Sequence, residues 1–190
     1  LSDAVERAVE FYLKHPDETL IIVTADHETG GLTLGLAGKE YDTDLGLLQL
    51  QKVSSERFNY LIDSVMKITE NQKFEVAMKM ITQYYGLGGE GGLMLTEYEN
   101  KLLYEAWQVW KGELQMAEIE KELKFGGGNP VFAAATRILN NKAGLGWTTW
   151  SHTGTPVPVF AIGQGHEKFT GYYDITDIPK RMKIAMGLSK

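Results

Sequence analysis

Two side chains able to bind a metal ion, Asp26 and His27, follow an apolar run at residues 19–24, with only Ala25 between. Open α/β sheets hold their ligands at the carboxyl ends of strands, which is where this pair would lie. A carboxylate oxygen together with an imidazole nitrogen suits zinc. Because neighbouring side chains diverge on a straight strand, a shared ion requires a turn, which Gly30 and Gly31 favour. The pattern indicates either half of a zinc site or a hydrogen-bonded Asp–His pair without metal.

A further histidine, His152, lies in a polar segment at residues 151–155, just before a second apolar run at 157–162. A histidine at a strand boundary can be a ligand that the fold, rather than the sequence, brings to the first pair. The alternative is a solvated loop histidine. His166 follows two glycines and is either a site residue or part of a tight turn. His15 ends a predicted helix, where it compensates the helix dipole.

The sequence lacks the residue patterns of several other kinds of active site. Asp26, His27 and His152 would complete at most one three-ligand zinc site, whereas two-metal phosphoryl chemistry needs more ligands. The chain has no cysteine, and no serine stands in a Gly-x-Ser-x-Gly nucleophile motif. It also has no Gly-x-x-x-x-Gly-Lys-Ser/Thr phosphate loop. A mononuclear iron site from the same three residues is conceivable, but nothing else suggests an oxygenase.

Composition narrows the class of protein. The chain has 190 residues, about one domain's length, and its 43% hydrophobic and 23% charged content is ordinary for a globular protein. Its net charge of −6, with no basic cluster, argues against a nucleic-acid partner. No apolar run approaches membrane-spanning length, so we expect no membrane span in this chain.

The two ends of the chain predict an α/β fold. Residues 2–14 have helical periodicity with Ser2 as N-cap, and the unalternating run at 19–24 is typical of a strand covered on both faces in a parallel sheet. The strand at 157–162 should lie near a sheet edge, because Pro156 and Pro158 cannot donate to a ladder. A C-terminal helix is expected to end near Gly187.

The middle of the chain predicts helices. The capping-box pairs Thr69–Gln72 and Thr96–Glu99 open helices expected to reach Tyr85 and about Lys124, and Asn129 with Pro130 opens another through Asn140. We therefore expect an α/β domain from residues 1–36 and 129–190, with a mainly helical insertion at 37–128. The insertion's aromatic residues form either its own core or a partner-binding face: Tyr84, Tyr85, Tyr104, Trp107 and Trp110.

Three blocks of this sequence resemble the alkaline phosphatase family. Residues 24–31 (TADHETGG) resemble its metal-binding signature, and residues 152–154 (HTG) resemble its later metal-binding histidine. The ending, from residues 169–171 (FTG) through 176–179 (TDIP), also resembles the C-terminus of that family. The resemblance covers residues 1–36 and about 129–188, and the first block is the most specific.

The resemblance implies a phosphomonoesterase that works through a phosphoenzyme with two zinc ions and a magnesium ion. Asp26 and His27 match ligands of the zinc that activates the nucleophile, and His152 matches a ligand of the other zinc. The implied fold is a sandwich of a mostly parallel central sheet flanked by helices. A homodimer, a phosphate monoester substrate and a periplasmic or extracellular location are also implied.

This sequence departs from the family pattern in what it lacks. The family's nucleophile, phosphate-binding arginine, magnesium ligands and Asp-x-x-x-His zinc motif lie upstream of the matched blocks. Here the residues four positions before the histidines are Phe11, Val23, Thr148 and Ile162. We therefore expect a C-terminal portion that is inactive by itself, with its insertion where the family builds a crown. The alternatives are an interaction or dimerisation module, or a relative acting on phosphodiesters or sulfate esters.

Overall fold

The computed structural model describes residues 1–39, 41–68 and 73–188, and of residues 66–68 only the backbone. The predicted Thr69–Gln72 capping box lies outside the described residues. The elements, in chain order, are α1 (Ser2–Tyr12), β1 (Leu20–Val23), β2 (Thr33–Leu34), a 3₁₀ helix (Leu45–Leu50), α2 (Ser55–Ile68), α3 (Phe74–Tyr85), α4 (Glu97–Lys111), α5 (Glu118–Phe125), α6 (Pro130–Lys142), β3 (Leu145–Gly146), β4 (Phe160–Gly163), a second 3₁₀ helix (His166–Phe169) and α7 (Asp177–Ala185).

These elements form two compact units. Unit 1 comprises Leu1–Glu28 and Thr153–Lys190, and unit 2 comprises Thr29–His152. The predicted boundaries between the α/β domain and the helical insertion, at residues 36/37 and 128/129, stay a prediction. The contacts divide the chain elsewhere, because α6 packs on α4, α3 and α5 and so belongs to unit 2.

Unit 1 is built around a two-stranded sheet. β1 and β4 pair antiparallel with Val23 opposite Phe160, and α1 packs against β1. Every residue of β1 is partly buried, as the unalternating apolar run predicted. The expected parallel neighbour is not observed, since both two-stranded sheets of the described residues are antiparallel. Hydrophobic periodicity reports which faces of a strand are covered, and it does not report the direction of the partner strand.

Unit 1 has little core of its own. Among its described residues only Phe169 is fully buried, and α1 and α7 bury no side chain. Apolar side chains on β4 and around α7 stay exposed, with Phe160 at 65%, Ile184 at 52% and Met186 at 65%. So much apolar surface on one small unit is typical of a face that packs against other protein.

The hydrophobic core lies in unit 2, where α6 contacts α2, α3, α4 and α5. Small residues at 133–135 on α6 let these helices approach closely. The ring of Phe58 meets that of Tyr85 edge-on at 5.7 Å and lies 6.0 Å from Phe132. Burial raises the pKa of the Tyr85 hydroxyl, to which the Thr136 hydroxyl donates at 3.4 Å. None of the described helices combines the length and apolar character needed to cross a membrane.

The insertion's aromatic residues mostly serve this core. Tyr85 and Trp107 are fully buried, Tyr84 and Trp110 pack against the same cluster, and Tyr104 remains 47% exposed. The stacked rings of Trp107 and Trp110 lie 5.2 Å apart. Of the two readings that the sequence left open, this arrangement favours the insertion's own core over a partner-binding face.

Two predicted helix starts are confirmed. Thr96 Oγ1 accepts from the Glu99 N–H at 3.2 Å, and Glu99 Oε2 accepts from the Thr96 N–H at 2.7 Å. Asn129 caps α6 by accepting from the N–H groups of Val131 at 2.9 Å and Phe132 at 3.2 Å. Both caps are local signals that four consecutive residues carry.

Other predicted boundaries are wrong. The helix expected to run to Lys124 ends at Lys111, because Gly112 adopts a left-handed conformation with φ +76°, and α5 starts anew at Glu118. Leu1 rather than Ser2 is the N-cap of α1. β4 begins only at Phe160, after the prolines that cannot donate to its ladder.

Candidate metal centre

The chain bends directly after β1 and brings Asp26 and His27 together. The Thr24 hydroxyl donates to the Pro158 carbonyl at 3.1 Å, which holds this end of the strand. The His27 backbone N–H then donates to Asp26 Oδ1 at 3.1 Å, and His27 Nε2 lies 3.4 Å from Asp26 Oδ2. The turn that a shared ion requires is therefore present, and the two side chains face one another.

The imidazole of His27 is oriented by its own loop. Its Nδ1–H donates to the Glu28 carbonyl at 2.7 Å. A carbonyl oxygen only accepts, so Nδ1 carries the proton and Nε2 is the nitrogen with a lone pair. Metal-binding histidines commonly donate their other N–H to a carbonyl or carboxylate in this way. With a carboxylate oxygen beside Nε2, the donor pair fits a divalent metal such as zinc.

Glu28 also contacts a distant part of unit 1. Its carboxylate oxygen Oε1 accepts a hydrogen bond from the backbone N–H of Thr153, 125 residues further along the chain. The Thr153 hydroxyl donates to Thr155 Oγ1 at 3.0 Å and accepts from the Thr155 N–H at 3.3 Å. The segment that leads into β4 is thus held in place at Thr153, its first residue.

Asp26, His27 and residues 153–159 line one cleft of about 880 Å³ within unit 1. Residues 169–175 also line this cleft, and Arg181 holds their segment by donating to the Lys168 carbonyl at 2.5 Å and the Thr170 carbonyl at 3.1 Å. The Arg181 guanidinium also lies 3.6 Å from the Tyr173 ring centroid. The candidate ligands Asp26 and His27 therefore line a cleft within unit 1.

His152 is the last residue of unit 2, and the segment before it is fixed there. The N–H groups of Thr148 and Thr149 donate to the Gly30 carbonyl at 3.0 and 3.2 Å, and the Thr148 hydroxyl donates to the Gly31 carbonyl at 3.2 Å. A Cβ on Gly30, whose φ is +138°, would lie 2.8 Å from the Thr149 carbonyl oxygen. Glycine is therefore required there by close backbone approach as well as by conformation.

Comparison with known proteins decides the family. The family model described as alkaline phosphatase matches residues 1–188. This chain belongs to the alkaline phosphatase family. It is 30% identical over 174 residues to alkaline phosphatase 4 of Bacillus subtilis, covering 92% of this chain and 31% of that protein. It is 28% identical over 183 residues to alkaline phosphatase 3 of the same organism, covering 96% and 33%.

The fold supports the same assignment. A crystal structure of a cold-active alkaline phosphatase from a psychrophilic Shewanella matches with a TM-score of 0.64 and 28% identity, covering 98% of this chain and 38% of that one. The α/β fold class is therefore confirmed as alkaline-phosphatase-like. The chain spans about a third of the length of the curated relatives it matches.

Alkaline phosphatases are generally metal-dependent, which agrees with the donor pair after β1. The described residues contain no group of three or more His, Asp or Glu side chains placed to hold one metal ion. Asp26 and His27 are brought together in unit 1, whereas His152 belongs to unit 2. The assignment of all three as metal ligands stays a prediction.

The remaining histidines differ in their surroundings. His166 donates Nδ1–H to the Gly163 carbonyl at 2.9 Å and lines the cleft of unit 1, so it lies in a tight turn beside the site. His15 stacks on Phe11 at 4.6 Å beyond the end of α1, away from that cleft. Glu28 was not identified from the sequence, because a contact across 125 residues leaves no signal in local spacing.

Proposed function

We propose that this chain is the C-terminal part of an alkaline phosphatase that hydrolyses phosphate monoesters through a phosphoenzyme, with two zinc ions and a magnesium ion. The observation that carries the proposal is the bend at Asp26 and His27, in a chain whose family match extends over residues 1–188. A carboxylate beside a histidine of fixed tautomer is the donor arrangement that zinc sites use.

The three proposed ligands are assigned to two zinc ions. Asp26 and His27 hold one zinc ion, and His152 contributes to the other. When bound, paired metal ions stabilise the attacking and leaving oxygens of an in-line displacement at phosphorus. The ester would enter through the cleft that Asp26 and His27 line.

The chain by itself is proposed to be inactive. It spans about a third of its curated relatives and has no Asp-x-x-x-His motif or recognisable nucleophile motif. Unit 1, which carries Asp26 and His27, exposes apolar side chains such as Phe160 and Met186. Such a surface favours packing against further protein. The homodimer and the periplasmic or extracellular location are carried only by family resemblance and belong to this proposal.

Two alternatives remain distinct from this one. A relative acting on phosphodiesters or sulfate esters would use the same metal chemistry with a different substrate pocket. An interaction or dimerisation module would use the helices of unit 2 rather than the cleft of unit 1, although most of the insertion's aromatic residues already pack in its core. Hydrolysis rates on phosphodiesters and sulfate esters test the first alternative. The mass of the protein in solution, which gives its oligomeric state, tests the second.

The test begins with the reading frame immediately upstream of Leu1. The proposal expects an Asp-x-x-x-His motif there and a serine or threonine nucleophile earlier. The protein encoded by the whole frame, supplied with Zn²⁺ and Mg²⁺, should hydrolyse p-nitrophenyl phosphate much faster than bis-p-nitrophenyl phosphate or p-nitrophenyl sulfate. The 190-residue chain alone should not. A frame without those motifs would withdraw the catalytic proposal.

His27→Ala provides the residue-level check. Loss of this ligand should reduce kcat/KM by at least the roughly 10- to 100-fold that losing an outer-shell partner of a metal site costs. His15→Ala is the matched control, because His15 lies outside the cleft, and its activity should stay at the wild-type level. Turnover by the 190-residue chain at a rate unaffected by His152→Ala would contradict the proposed ligand set.

A further inference from the structure

We infer that Glu28 is a positioning residue for the Asp26–His27 pair of the candidate metal centre, and that it acts through two contacts within unit 1. Its backbone carbonyl orients the imidazole of His27, and its carboxylate holds the N–H of Thr153, the first residue of the segment that lines the same cleft. The inference rests on the proposed function, because it concerns the same metal site.

The carbonyl contact determines which nitrogen of His27 can bind a metal. At 2.7 Å from the Glu28 oxygen, Nδ1 must donate, which leaves Nε2 as the donor atom on the side of Asp26. This contact comes from the backbone, so it persists whatever side chain stands at position 28. Substitutions there can therefore remove the carboxylate contact and leave the carbonyl contact in place.

The carboxylate contact fixes a peptide plane. Because the N–H of Thr153 belongs to a planar peptide group, holding it in one direction orients the backbone at the start of the segment that lines the cleft. A carboxylate acceptor makes this bond charge-assisted and stronger than a neutral one. The Thr153–Thr155 bonds stiffen the segment on the other side. The segment that lines the cleft is thereby held at its first residue, Thr153.

Only the carboxylate contact depends on the side chain at position 28. Glutamine keeps an acceptor oxygen at the same reach and loses only the charge, whereas alanine removes the acceptor altogether. The two substitutions therefore separate positioning from charge. Glu18, whose side chain is 83% exposed and which lies before β1 in the same unit, is the matched control carboxylate.

The test uses the protein encoded by the whole reading frame. Zn²⁺ affinity is measured by chelator competition at fixed pH, the site geometry by the visible spectrum of the Co²⁺-substituted protein, and the Thr153 bond by amide hydrogen exchange. Glu28→Ala should weaken Zn²⁺ binding by about 10- to 100-fold, alter the Co²⁺ spectrum and speed exchange at Thr153. Glu28→Gln should restore Zn²⁺ affinity to near the wild-type value, and Glu18→Ala should change none of these readouts.

Each outcome decides the matter. Wild-type Zn²⁺ affinity and an unchanged Co²⁺ spectrum in Glu28→Ala would overturn the inference, as would a Glu28→Gln variant no better than alanine. Should Glu28→Ala fail to fold by circular dichroism, Glu28→Asp replaces it: its carboxylate is one methylene shorter, so it should weaken Zn²⁺ binding and speed exchange at Thr153, and wild-type behaviour would overturn the inference. Zn²⁺ binding that depends on Glu28 in a protein without monoesterase activity would refute the proposed function and leave this inference standing. A wild-type protein that binds no Zn²⁺ would refute both.

Discussion

Removing the Glu99 carboxylate should destabilise unit 2, because this group joins the start of α4 to the end of α6. Glu99 Oε2 accepts from the Thr96 N–H at 2.7 Å and from Lys142 Nζ at 2.9 Å, and Lys142 also donates to the Met94 carbonyl at 2.8 Å. The two charged side chains are only 14% and 17% exposed. The pair is thus largely shielded from water and connects elements 43 residues apart.

The magnitude follows from the contacts. At 2.9 Å and an effective dielectric of about 20, the bare attraction is about 6 kcal/mol, most of which desolvation and side-chain ordering offset. The capping bond contributes about 1 kcal/mol and the charged bond about 2 kcal/mol. Glu99→Ala should therefore lower the free energy of unfolding by about 3 kcal/mol. Glu99→Gln keeps an acceptor and should cost about 1 kcal/mol.

The pH dependence has a definite sign. Burial raises the pKa of Glu99, but hydrogen bonds from Lys142 and Thr96 and the charge of Lys142 outweigh it, so the folded-state pKa lies below its ordinary value. A depressed folded-state pKa contributes stability above the unfolded pKa and loses it as pH falls through the folded pKa. The stability difference between wild type and Glu99→Gln should accordingly shrink in acid.

Urea unfolding followed by tryptophan fluorescence measures this effect in the right place, because all four tryptophans lie in unit 2. The control is Glu97→Ala, an exposed carboxylate in the same first turn of α4, which should change stability by no more than about 0.5 kcal/mol. Two results would refute the reasoning. One is a loss of unfolding free energy in Glu99→Ala no larger than that in Glu97→Ala. The other is a stability difference between wild type and Glu99→Gln that does not change with pH.

Two other substitutions are measured by the same urea titration. Asn129→Ala removes the acceptor of two N–H groups at the start of α6 and should cost about 1 kcal/mol; no measurable loss would mean that the cap contributes nothing. Gly126→Ala should cost more than about 1 kcal/mol, since φ is +64° and the added Cβ would lie 2.9 Å from Trp150 Cγ. Gly128→Ala, with no neighbour within 4 Å, is its control, and equal losses would contradict the clash.

The sequence predicted those features that short stretches of chain determine. The Thr96–Glu99 pair and the Asn129–Pro130 pair marked helix starts, because a cap and the N–H groups that it satisfies are close in sequence. The bend at Asp26 and His27 was predicted for a chemical reason, since neighbouring strand residues cannot otherwise share an ion. The family resemblance rested on the same block, and the family match confirms it.

Features that depend on distant residues were not predictable in this way. The helical spacing of apolar residues continues past Gly112, and two separate helices can show the same spacing as one long helix. The end of α4 at Gly112, which is left-handed, could therefore not be recognised from that spacing. The antiparallel pairing of β1 with β4 depends on residues about 140 positions away, and the apolar run carries no information about their direction. The Glu28–Thr153 hydrogen bond, between residues 125 positions apart, belongs to the same class.

The division of the chain determines how its function has to be measured. The buried cluster and every tryptophan lie in unit 2, whereas Asp26, His27 and Glu28 lie in unit 1, whose only fully buried described residue is Phe169. A substitution at Asp26 or His27 can therefore disable that pair without changing the unfolding of unit 2, and Glu99→Ala can destabilise unit 2 without changing either residue of the pair. Metal affinity and cobalt spectra report on the first kind of change, and tryptophan fluorescence reports on the second. The stability of unit 2 and metal binding by the Asp26–His27 pair can therefore be measured separately, because different side chains determine them.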